Sequence, residues 1–200
     1  MHWTGNPFVD TGQAVLAHLA GVESVEALDA NALRQTVDTQ QLTTDNSLAK
    51  SFTMIFGTNG PLKQPAYKKT GKNEIIYRAF VTKLLDAVAE QDGQGSPCEL
   101  TGIPTSLDFH ELCAGALVAG GQKVPDRKWI GREWVPLAGS MGNDAQALPA
   151  ASRPLHVSAT ALLALQYLPY AAFLFRGQLA MFQSTYAPLV QSLVDQHQIF

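Results

Sequence analysis

The clearest hydrophobic periodicity lies in residues 73–91. Ile76, Phe80, Leu84 and Val88 recur at every fourth position, and Ile75, Ala79 and Leu85 widen the stripe. That spacing predicts a helix with one apolar face. Asn73 stands where it can cap the helix before Glu74, and Gly93 lies beyond its end. A shorter helix is predicted over residues 13–20, with Asp10 as a candidate cap and Gly21 as its stop. Residues 24–38 read as one or two helical turns carrying Val25, Leu28, Leu33 and Val37, and residues 109–118 fit either a helix or a strand.

Strand signals are weaker. Residues 48–56 are rich in β-branched and aromatic side chains, and residues 133–138 read as a short strand. Residues 170–175 and 178–183 form a hairpin pattern across Arg176-Gly177. Residues 57–72, 93–105 and 139–149 are glycine-bearing loops by composition. Residues 154–168 are apolar and read as a buried helix ended by Pro169. Ser184 opens a last helix that runs to Phe200 without a stopping residue. The expected fold class is α+β: mixed helices, a small antiparallel sheet, and long glycine- and lysine-rich loops.

Residues 154–175 contain no Asp, Glu, Lys or Arg, so a membrane span must be weighed. Pro169 in the interior, His156, Gln166 and many alanines in place of leucines favour a core helix instead. The N-terminus has no basic segment leading into an apolar one, and two cysteines make no disulfide scaffold. A cytoplasmic protein that does not enter the membrane is expected.

Composition adds one further point. Charged residues are only 16% of the chain and the net charge is −3, so no overall basic excess marks a polyanion binder. The distribution is uneven. Residues 50–83 hold seven basic residues against Glu74 alone, and residues 123–132 hold four against Asp126, whereas residues 10–45 hold six acids against Arg34. Local potential, not the total, steers a charged ligand.

A search for catalytic chemistry finds little. Gly139-Ser140-Met141-Gly142 lacks the G-x-S-x-G spacing, and there is no G-x-G-x-x-G and no P-loop. Cys98, Cys113 and His110 offer three zinc ligands where a structural site needs four, so the two cysteines read as core residues and no metal or cofactor is expected. Asp108 and Glu111 form an i, i+3 pair of carboxylates beside His110, a pattern usual on a solvated helix face. No catalytic residue is assigned.

The lysine loop is more informative. Asn59, Lys63, Tyr67, Lys68, Lys69 and Lys72 lie in a stretch without an acid. Lysines neutralise phosphates, glycines let backbone N–H groups approach them, and a tyrosine stacks or donates a hydrogen bond. Arg127, Lys128 and Arg132 form the second basic group. The plain alternative for both is a solvated surface loop.

Two blocks carry a resemblance to a known family. One is Trp3-Thr4-Gly5-Asn6-Pro7-Phe8-Val9-Asp10-Thr11-Gly12. The other is Val135-Pro136-Leu137-Ala138-Gly139-Ser140-Met141-Gly142-Asn143-Asp144-Ala145-Gln146-Ala147-Leu148-Pro149, followed by the apolar run to Pro169. In this order they resemble the amino-terminal portion of the large subunit of type I, I-B-like, CRISPR Cascade complexes, the CXXC–CXXC-region family. The chain departs from that family in its cysteines, since Cys98 stands alone where a first pair belongs.

The resemblance implies one amino-terminal domain over residues 1–200, with a basic lobe at 57–72 and a degenerate cysteine region at 93–132. It implies an RNA-guided DNA-binding subunit rather than an enzyme, with guide RNA, double-stranded target DNA and other Cascade subunits as partners. The family's chains are longer, so a carboxy-terminal part of the large subunit, in a separate chain or absent, belongs to the same expectation. Asn6 and Asn143, inside the two blocks, join the candidate nucleic-acid contacts because an amide side chain offers both a donor and an acceptor. The competing class is a small α+β enzyme or metabolite-binding domain.

Overall fold

The computed structural model describes residues 1–39, 54–56, 64–90, 93–124, 126, 134–135 and 156–197. Helix α1 (Pro7–Ala20) is the centre of the packing, and Val9 through Ala17 are buried without a break. It starts a full turn and a half before the predicted Gln13. Asn6, not Asp10, is its cap: the Asn6 side chain accepts from the N–H groups of Phe8 and Val9 at 3.1 and 3.3 Å. Pro7 follows at the first helical positions, where its missing N–H costs nothing.

Asp10 turns back instead. Its carboxylate accepts from the Thr4 N–H, the Thr4 hydroxyl and the Gly5 N–H at 2.8, 2.7 and 2.9 Å, pinning the leading segment onto the helix. Gly21, left-handed at φ 68, ends the helix as expected.

Helix α1 packs against α6 (Ala159–Gln166), α7 (Ala187–His197) and α2 (Ala30–Thr39). At the α1–α6 crossing the two backbones touch. A Cβ on Gly12 would lie 2.0 Å from the Ala164 carbonyl oxygen, so no larger residue fits there. The long amphipathic helix α4 (Lys72–Ala89) packs on α2, α5 (Phe109–Ala119) and α6, burying Ile76, Phe80, Leu84 and Leu85 as the stripe requires, whereas Ile75, expected to widen the stripe, is 52% exposed and Tyr77 and Val81 are buried. Phe80 is edge-on to Phe109 with ring centroids 6.3 Å apart and lies 4.8 Å from Trp134.

Several local expectations change. The ambiguous segment 109–118 is helical, with the Asp108 carboxylate capping it at the Glu111 N–H, 3.0 Å away. Residues 54–56, the described end of the expected strand 48–56, are helical. Trp134 and Val135 of the expected strand 133–138 lie buried in a turn. The loop expected over 57–72 contains helix α3 (Pro65–Lys68), again with proline at its start.

Helix α6 is capped by the Ser158 hydroxyl, which accepts from Ala161 N–H, and ends at Gln166. Pro169 then sits early in a 3₁₀ turn, Leu168–Ala171, where it loses no hydrogen bond.

The predicted hairpin is present. Strands β3 (Ala172–Phe175) and β4 (Gln178–Met181) pair antiparallel, with Phe175 opposite Gln178. Arg176 and Gly177 turn it with positive φ, as a two-residue hairpin requires. A smaller pair, β1 (Ser96–Pro97) and β2 (Pro104–Thr105), stands in the segment read as loop. The fold is α+β, as the sequence predicts. Among the described residues no helix is long and apolar enough to cross a membrane.

Candidate nucleic-acid interface

The described part of the lysine segment, residues 64–72, is mostly exposed. Helix α3 hands over to α4 through Lys69, Thr70 and Gly71. Gly71 takes the left-handed conformation at φ 70, which lets the chain reverse into the long helix. Lys68 and Lys69 are exposed, and Lys72 is half-buried at the first position of α4. Tyr67 is also half-buried and packs its ring against the core, so it anchors the turn from beneath.

Asn73, expected as the cap, is instead the second residue of the helix and is 4% exposed. The N-terminus of α4 therefore has no side-chain cap. Its first-turn N–H groups point out of the helix start beside three lysines, with the positive end of the helix dipole behind them.

The electrostatics agree in sign. Arg78 is exposed about 200° around α4 from the buried Ile76, on the outer face. Among the described residues the ion pairs are His18–Asp195 and Arg34–Asp86, so Lys68, Lys69, Lys72 and Arg78 have no carboxylate partner there. Glu74 is the one acid in this first turn. Such a surface can hold phosphate oxygens by charge and by backbone N–H donation. Arg78 was legible in the sequence from its offset to the Ile76–Phe80 stripe.

Other predicted positions fare differently. The Asn6 side chain serves the fold: besides capping α1 through its Oδ1, its Nδ2 donates to the Leu100 carbonyl at 3.1 Å. It ties the start of α1 to the loop between β1 and β2. Asn59, Lys63, Arg127, Lys128, Arg132 and Asn143 lie outside the described residues. Sequence reasoning also missed an exposed apolar surface on the hairpin and the approach to α7. Phe175, Phe182 and Tyr186 are each at least 60% exposed there, with Arg176 5.3 Å over the Phe175 ring.

Two places could support other chemistry. Cys98 is buried and unpaired. Burial pushes its thiol up, but hydrogen bonds from the Thr101 side chain, from backbone N–H groups of Ser158 and Leu100, and from the Ser158 hydroxyl outweigh this. Its pKa falls below the ordinary thiol value. The second is a cleft of about 380 Å³ lined by Lys83, Asp86, Glu90, Asp108 and Glu111. Asp108 is committed to capping α5, and Asp86 pairs with Arg34 at 2.8 Å.

Deeper in the core, burial pushes the Tyr77 and Tyr167 phenols well up, and their neighbouring tyrosines add to the effect. Among the described residues no group of three or more His, Cys, Asp or Glu side chains is placed to hold a metal ion. No protein-family model, no curated protein and no solved structure matches the chain.

Proposed function

We propose that the chain is a non-enzymatic, RNA-guided DNA-binding subunit of a cytoplasmic type I CRISPR Cascade complex, acting at the guide RNA 5′ handle and at the motif beside the DNA target. The two sequence blocks, in their order, supply the family reading. The observation that carries the binding role is the N-terminus of α4 without a side-chain cap, preceded in the chain by Lys68 and Lys69 and opened by Lys72, which have no carboxylate partner among the described residues. Each lysine that neutralises a duplex phosphate releases condensed counterions, and affinity then falls with salt at a log–log slope near −0.9 per phosphate.

In the assembled complex, replacing Lys63, Lys68, Lys69 and Lys72 by alanine is expected to flatten that slope by up to about four units for matched target DNA. The loss is expected to be independent of target sequence, since phosphates carry no base identity. An unchanged slope would remove this surface from the binding site.

The carboxylate cleft beside Lys83 favours the competing reading, a small enzyme or metabolite-binding domain. Purification from the native host separates the two, because co-purified RNA of uniform length is expected only for the Cascade subunit.

A further inference from the structure

A second surface has the opposite character. A groove of about 660 Å³ runs between the leading segment, the turn at residues 23–26 and helix α7. Its lining combines apolar Trp3, Ala187 and Pro188 with acidic Glu23, Glu26 and Asp195, and neutral polar side chains complete it. Glu23 and Glu26 are exposed, and neither has an ion-pair partner among the described residues. Asp195 uses only Oδ1, which meets His18 Nδ1 at 2.9 Å and accepts from Gln191 Nε2 at 3.0 Å. Its Oδ2 has no hydrogen-bond partner among the described residues.

We propose that this groove docks a basic segment of a partner protein, a peptide bearing arginine or lysine. The acidic side chains complement a cationic head, and the apolar lining residues complement its hydrocarbon stem. Arginine and lysine lay their hydrocarbon stems along apolar walls while the cationic head reaches carboxylates, and a guanidinium also stacks over an indole such as Trp3. A polyanion is repelled by the same carboxylates. A single metal ion does not fit either, because the carboxylates are not gathered closely enough to ligate one. The groove is independent of the nucleic-acid reading of α4.

The test uses the full chain, ¹⁵N-labelled, titrated with a hexa-arginine peptide and, as control, a neutral glycine–serine hexapeptide. Shift changes confined to Trp3, residues 23–26 and residues 187–196, caused by the arginine peptide only, are the expected result. The E23Q/E26Q variant is expected to bind about fivefold more weakly, from two exposed charge contacts. The E90Q/E111Q variant, altered in the other acidic cleft, is expected to bind as the unaltered chain does.

Equal losses in both variants, or none in E23Q/E26Q, would overturn the proposal as diffuse attraction to acidic surface. Concentration-dependent self-association that E23Q/E26Q abolishes would also overturn it, by making a second copy of this chain the occupant.

Discussion

Two helix starts in this molecule solve the same problem in opposite ways. An α-helix begins with N–H groups that its own backbone cannot satisfy. At α1 these are closed off: Asn6 caps two of them, Pro7 removes another donor, and the Asp10 carboxylate straps the preceding residues down. At α4 no side chain caps them. Gly71 has no side chain to offer, Asn73 is buried, and Lys68, Lys69 and Lys72 belong to the segment that leads into the helix. Residues of the kind that bind ligands in other proteins are consumed by the fold at α1. At α4 no residue is consumed as a side-chain cap.

The sharpest way to break this comparison is Asp10→Ala. The substitution leaves the N–H groups of half-buried Thr4 and exposed Gly5, and the Thr4 hydroxyl, without their charged acceptor, an expected loss of about 3 kcal/mol. Urea unfolding measures it, and a loss under about 1 kcal/mol would mean the strap is not structural.

Asn6→Ala comes next. Loss of the cap is expected to cost about 1 kcal/mol of stability, and the lost contact to Leu100 adds to it. Residual binding by the folded fraction should be normal. In sequence Asn6 reads either as a nucleic-acid contact or as a turn former, and weaker binding at unchanged stability would favour the first.

The smallest change in stability is expected at α4. Replacing Lys68, Lys69 and Lys72 by alanine should alter stability by less than about 1 kcal/mol, because exposed charges contribute little to folding. Thermal unfolding checks this. A large destabilisation would show that these lysines serve the fold after all.

The contrast between the two starts was not legible in the sequence. Each start has a predicted cap, Asp10 in one case and Asn73 in the other, and both precede a good apolar pattern. Which residue caps depends on where the helix is allowed to begin. That is settled by the burial of Val9 to Ala17 against α6 and α7, and by the core accepting Asn73. The short helix at Pro65–Lys68 was hidden because four residues carry no period. The small hairpin β1–β2 was hidden for the same reason.

The sequence by itself determined what rests on local repetition or local stereochemistry. The stripe of α4, the stop at Gly21, the Arg176-Gly177 hairpin and the α+β class follow from spacing and backbone preference alone. The cluster of Lys68, Lys69 and Lys72 is also local, since neighbours in sequence stay neighbours on a short turn.

Only the tertiary structure decided the features that join distant segments. Asn6 meets Leu100, Gly12 meets Ala164, and Glu23 and Glu26 share a groove with Asp195. The physical reason is that periodicity states which face of an element turns inward. It does not state which other element that face will meet, and that choice is made by the packing of the whole core.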